Sequence, residues 1–102
     1  MGDFDNELDV QIKSKPEAET PKMYRVILHN DDYTTMEFVV EVLVKVFRLP
    51  AQDATRIMLD VHRKGQGQVG VFTRDIARTK VAQVHYLAKQ REYPLKCTYE
   101  EA

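Results

Sequence analysis

The 102-residue chain has a single cysteine, Cys97, and a single serine, Ser14. One thiol cannot close an internal disulfide or build a zinc site by itself, which suits a reducing cytosol. No apolar run approaches the length of a membrane span, and the first residues lack the positive-then-apolar order of a signal peptide. A cytoplasmic location without membrane contact is therefore expected. Charge of one sign is missing too: 15 Lys and Arg stand against 16 Asp and Glu, a net charge of −1. Nucleic-acid modules usually carry a clear basic excess, so no nucleic-acid partner is expected. Also absent are HExxH, GxSxG and a phosphate-cradling glycine loop. Ser14 lies in a polar stretch, and Cys97 alternates like a core residue. His29, Asp31, Asp32 and His62 have no metal-ligand spacing of any specificity. The expectation is a binding protein, not an enzyme, with no cofactor and no metal.

This length fits one domain with one hydrophobic core. Residues 1–22 carry six acids, three lysines and two prolines, with Phe4, Leu8, Val10 and Ile12 as sparse apolar groups. Such a composition buries too little to offset the entropy of ordering, so residues 1–22 are expected to form a flexible extension. Residues 23–102 are expected to be the folded core.

Tyr24, Val26 and Leu28 alternate with Arg25, Ile27 and His29, the period of a strand. Asn30-Asp31-Asp32 breaks the pattern with turn formers. Thr34 and Glu37 fit a capping box, which predicts a helix from about Thr35 to Phe47, with Met36, Val39, Val40, Leu43 and Phe47 on one stripe. Pro50 suits a second helix start; Ala54, Ile57, Met58, Val61 and His62 share its face, and Gly65 ends it. Val69, Val71 and Phe72 read as a short strand. Thr73 caps a third helix of roughly 74–91 with Ala77, Val81, Val84 and Ala88 inward. After Pro94, the alternation of Leu95, Cys97 and Tyr99 gives a last strand. The fold class is α+β, in β-α-α-β-α-β order: a three-stranded antiparallel sheet packed against three helices.

The acidic turn admits two readings. Asn30, Asp31 and Asp32 could merely end a strand and suit the dipole of the following helix. Three successive acceptor side chains could also surround an ammonium group, and a protein α-amine is largely cationic at neutral pH. His62 has two readings as well: a histidine in the last turn of a helix is more often a dipole partner or a satisfied core residue than a site residue. Met58, Val61 and His62 share a helix face. If that face meets Met36 and Val39, an apolar cup with Leu95 forms below Asn30, Asp32 and His62. Plain core packing is the other account of those apolar residues.

YRVILHNDDYTTMEFVV at 24–40, MLDVH at 58–62, GVFTRDIARTKVAQV at 70–84 and YPLKCTYEEA at 93–102 together resemble the ClpS family, adaptors that hand N-degron proteins to the ClpAP protease. The resemblance spans essentially all of residues 23–102, with the blocks in order. It implies that Asn30, Asp31 and His62 hold a substrate's free α-amine, directly or through water. It places Asp32 and Thr34 on the first peptide units. Met36, Val39, Met58, Val61 and Leu95 would form the pocket for a first residue of Leu, Phe, Tyr or Trp, Met36 excluding β-branched Ile and Val. Asp75 and Lys80 match the contacts to the N-terminal domain of ClpA. The extension would engage the unfoldase during hand-over, and the adaptor is expected to be a monomer that modulates ClpA's choice of substrate. Two departures stand out. Thr35 replaces the family's usual proline, and GQGQVG at 65–70 replaces a pattern that often carries a cysteine. Without the resemblance, a structural interaction domain of ribosomal-stalk-like α/β architecture remains as an alternative, and metal-dependent hydrolysis as a third reading. Neither needs a preference for a free amine.

Overall fold

The computed structural model describes residues 20–102. The expectations for Phe4, Leu8, Val10, Ile12 and most of the extension therefore lie outside the described residues. The elements are β1 (Met23–His29), α1 (Met36–Lys45), α2 (Ala51–Lys64), β2 (Gln66–Thr73), α3 (Arg74–Gln90) and β3 (Lys96–Glu101). Their order and the fold class are those expected from the sequence.

β1 is the central strand of an antiparallel sheet ordered β2-β1-β3. Central placement explains its run of Val26, Ile27 and Leu28, all buried. Val26 and Leu28 belong to the main core with Val39, Val42 and Leu43 of α1, Ile57 and Val61 of α2, and Val84 of α3; Ile27 is buried outside that cluster. Fully burying such aliphatic side chains is worth roughly 1.5–3 kcal/mol each, so this core dominates the stability of the fold. The pairing of β1 with β2 shifts between Val26 and Ile27, passing from Gly70 to Gln68 and leaving Val69 as the bulged residue. β2 is longer than expected because Gln66 and Gln68, polar and exposed, still pair with His29 and Ile27.

Two glycines position α2. Gly65 adopts φ 90° and closes the helix, its N–H donating to the Val61 carbonyl at 3.1 Å. Gly67 lets β2 press against α2: a Cβ there would meet Val61 Cγ2 at 2.8 Å and the Ile57 carbonyl at 3.2 Å. The Asn30 N–H then donates to the Gly65 carbonyl at 2.9 Å. That bond pins the exit of β1 to the end of α2.

The start of α1 differs from expectation. Thr35, not Thr34, is the N-cap, its hydroxyl accepting from the Phe38 N–H at 3.1 Å. Thr34 is already engaged, because its hydroxyl donates to Asp31 Oδ2 at 2.7 Å. With the cap one residue later, Glu37 falls too early in the helix to complete a capping box. α1 also ends at Lys45, short of Phe47, as the chain passes into a left-handed residue at Arg48 (φ 57°). Thr73 stands at the N-cap of α3, but its side chain makes no capping hydrogen bond.

Candidate functional site

An Asx-type turn shapes the segment after β1. Asp31 Oδ1 accepts from the N–H groups of Tyr33 at 2.8 Å and Thr34 at 2.7 Å, and Oδ2 accepts from the Thr34 hydroxyl. Burial alone would push the Asp31 carboxyl up, but the Thr34 amide, the Thr34 hydroxyl and the Tyr33 amide outweigh it. They hold its pKa below the ordinary carboxylate value. Asp31 is thus the internal brace of the turn. The side chains of Asn30 and Asp32, both exposed, have no partner among the described residues.

The turn, the first residues of α1 and the last part of α2 enclose a cavity of about 610 Å³, within the range of ligand sites. Its polar lining comprises Asn30, Asp31, Asp32, Tyr33, Thr34, Thr35, Glu37 and His62; its apolar lining is Met36, Val39, Met58 and Val61. Val39 and Val61, at 5% and 2% exposure, form the floor, while Met36 at 47% stands at the mouth. The His62 ring is exposed, with no hydrogen-bond partner among the described residues. Three carboxylates and a histidine line this cavity, and no lysine or arginine does. The helix dipoles do not decide the matter, because the cavity meets both the C-terminal part of α2 and the N-terminus of α1, whose partial charges oppose each other; the carboxylates set the preference for a cation.

Most of the expected site residues are therefore brought together by three separate segments. Leu95 is the exception: it is 4% exposed within the core cluster that contains Val39 and Val61, and is not part of the cavity lining. Sequence reasoning missed Tyr33, Thr35 and Glu37 as lining residues. Their position beside the acidic turn was the available signal. His29 is turned away, its Nε2 lying 2.8 Å from Thr98 Oγ1 on β3.

Asp75 and Lys80 occupy different surroundings. Asp75 is exposed in the first turn of α3, beside Lys22, Tyr24 and Arg74. Lys80 is half-buried and reaches across to the residue just after α1, where Nζ donates to the carbonyl of Val46, the C-cap, at 2.8 Å. It borders a second cleft of about 650 Å³ with Lys45, Arg48 and Tyr86. That cleft is cationic and has no acid or histidine in its lining. It is unsuited to an ammonium group, so size does not decide between the two cavities but chemistry does. No helix among the described residues is long and apolar enough to cross a membrane.

The sequence model of the family described as "ATP-dependent Clp protease adaptor protein ClpS" matches residues 19–98. The chain is 61% identical over 98 residues to the ATP-dependent Clp protease adapter protein ClpS of Syntrophus aciditrophicus, covering 96% of this chain and 90% of that protein. It is 59% identical over 91 residues to the protein of the same name from Acetivibrio thermocellus, covering 89% and 92%. Among solved structures, it is similar to Agrobacterium tumefaciens ClpS2 bound to L-phenylalaninamide, with a TM-score of 0.79 and 44% identity, over 81% of this chain and 100% of that one. With its acid-lined cavity standing where two helices meet the turn after β1, and with matches of this extent, the chain belongs to the ClpS family of Clp protease adaptors.

Proposed function

We propose that the cavity captures the N-terminus of a protein whose first residue is Leu, Phe, Tyr or Trp, and that the chain delivers this N-degron protein to ClpAP without catalysing a reaction. The observation that carries this reading is the pairing of an apolar floor with a rim of carboxylates, Asn30 and His62, which among the described residues holds no lysine or arginine and leaves His62 without a partner. Only a ligand joining a positive group to a large apolar one satisfies both halves. The relative's ligand, L-phenylalaninamide, is such a molecule and supports the reading.

Asn30 and His62 hold the free α-amine. Asp31 joins them through water or through the remaining lone pair of Oδ2. Asp32 and Thr34 meet the first peptide units. Met36, Val39, Met58 and Val61 surround the first side chain, and Leu95 backs the floor from within the core. Met36 at the mouth excludes a branch at Cβ, a steric discrimination of about 1–3 kcal/mol. Asp75 and Lys80 contact the N-terminal domain of ClpA, and this contact modulates which substrates ClpA takes. Residues 1–22 act as an extension that engages the unfoldase during hand-over, and residues 23–102 as the adaptor core. The adaptor works in the cytoplasm as a monomer, with no cofactor.

Fluorescent peptides beginning with Leu, Phe, Tyr, Trp, Ile or Met, each with a free or acetylated amine, test the reading by anisotropy. Binding of the four favoured residues should vanish on acetylation and weaken in His62→Ala. Binding that survives acetylation would defeat the amine clamp, and Ile bound as tightly as Leu would defeat the gate at Met36.

A further inference from the structure

We infer that Thr35 is a positioning residue that sets the selectivity of the gate at Met36. The inference rests on the proposed N-terminus site and deepens it. Two adjacent threonines do opposite work here: the Thr34 hydroxyl donates backward to Asp31, whereas the Thr35 hydroxyl accepts from the N–H of Phe38 ahead of it. Met36 is the first residue of α1 and lies inside the loop closed by the Thr35–Phe38 hydrogen bond.

The far end of that bond is firmly held. Phe38 is 2% exposed, with its ring 4.8 Å from that of Tyr93 and the Arg91 guanidinium 5.5 Å from its centroid. Arg91 in turn pairs with Glu41 through both nitrogens of its fork, at 3.2 and 2.6 Å. Thr35 therefore ties the first turn of α1 to a buried residue of the core. Without its hydroxyl acceptor the Phe38 N–H is unsatisfied, and the first turn is where a helix frays.

Selectivity against β-branched residues depends on the Met36 thioether staying at the neck of the cavity. The α-amine is held elsewhere, by groups on the turn and on α2. Loosening the first turn of α1 thus widens the neck while leaving the amine clamp intact. The backbone at Thr35, φ −74° and ψ 152°, is extended, the conformation of an N-cap residue whose side chain reaches the helix ahead of it. What threonine adds is the cap.

The test compares Thr35→Val, which keeps the shape and loses the acceptor, with Thr35→Ser, which keeps the acceptor. Leu- and Ile-initiated peptides are titrated against each. Amide exchange at Phe38 and the Met36 ε-methyl NMR signal are followed in parallel. Thr35→Val should lower the Leu-over-Ile preference at least threefold, speed exchange at Phe38 and broaden or shift the Met36 signal. Thr35→Ser should stay within twofold of the parent. Should valine prevent folding, Thr35→Ala provides the same comparison. The inference is overturned if the preference moves less than twofold in the capless variant, if it falls equally in Thr35→Ser, or if both peptides weaken in parallel. A parent protein indifferent to amine acetylation would instead sink the binding reading itself, before any variant is compared.

Discussion

Replacing Gly67 by alanine tests how the fold sets the width of the cavity, because two opposing effects fix the sign of the result. A Cβ at 67 would lie 2.8 Å from Val61 Cγ2 and 3.2 Å from the Ile57 carbonyl. Carbon atoms pack at roughly 3.5–4.0 Å, so the overlap with Val61 approaches an ångström. Val61 is 2% exposed and β-branched within a helix, which leaves its side chain little room to rotate away. The helix must therefore back off from β2, at an overpacking cost of about 1–3 kcal/mol. Against this, Gly→Ala restricts the unfolded chain and stabilises by about 0.4–1 kcal/mol where no clash intervenes. The clash should win. Thermal unfolding of Gly67→Ala should begin several degrees earlier, since a domain of this size loses about 4–8 °C per kcal/mol. Because Val61 forms part of the cavity floor, Phe- and Trp-initiated peptides should lose more affinity than Leu-initiated ones. Gly65→Ala is the control: nothing lies within 4 Å of its added Cβ, and only the left-handed φ of 90° is strained. That strain costs about 1–2 kcal/mol and should weaken all peptides alike. A Gly67→Ala protein as stable as the parent would refute the close approach of β2 and α2 as the determinant of cavity width.

Two further outcomes follow from the charges and thiol. The folded pKa of Asp31 is depressed, so its contribution to stability is fully present above the unfolded value of about 4 and is lost as pH falls through the lower folded value. Asp31→Asn should therefore lower stability at neutral pH and flatten its decline in strong acid; parallel acid-melting curves for the two proteins would contradict this. Burial pushes the Cys97 thiol up to about 12, so the native thiol should resist alkylation at pH 8 and react only as the strand opens. Labelling as fast as that of a free cysteine would rule out its burial in β3.

Much of the fold was legible in the sequence because its signals are local. Alternation marked β1, Gly65 marked the end of α2, and the stripe of Ala77, Val84 and Ala88 marked α3. The departures arise where a distant partner decides between local equals. Thr34 and Thr35 are both competent caps, and the choice falls to Asp31, which takes the Thr34 hydroxyl. Gln66 and Gln68 look like loop residues by composition, and pairing with β1 makes them strand. At the site, Asp31, Asp32 and His62 could be singled out from the turn and the resemblance, whereas Glu37 could not. Their meeting depends on the Asn30 N–H reaching the Gly65 carbonyl, a contact between segments far apart in the chain. Leu95 shows the opposite limit: alternation marks it as inward, but not whether inward means core or cavity wall.

The acidic turn thus divides its labour in a way composition could not reveal. Asp31 commits three hydrogen bonds to the turn itself, while the Asn30 and Asp32 side chains have no partner among the described residues. Loss of Asp31 would therefore disturb the positions of Tyr33 and Thr34 along with any contact to an amine. Loss of Asp32 would remove a lining charge and leave the turn braced. The two acids sit side by side, yet on the proposed reading a binding defect at the first would report on architecture and at the second on recognition. Separating them requires the backbone of the turn to be watched as well as the ligand. The proposed capture of an ammonium group rests on what the fold leaves unpaired among the described residues: the side chains of Asn30, Asp32 and His62, beside the Asp31 brace.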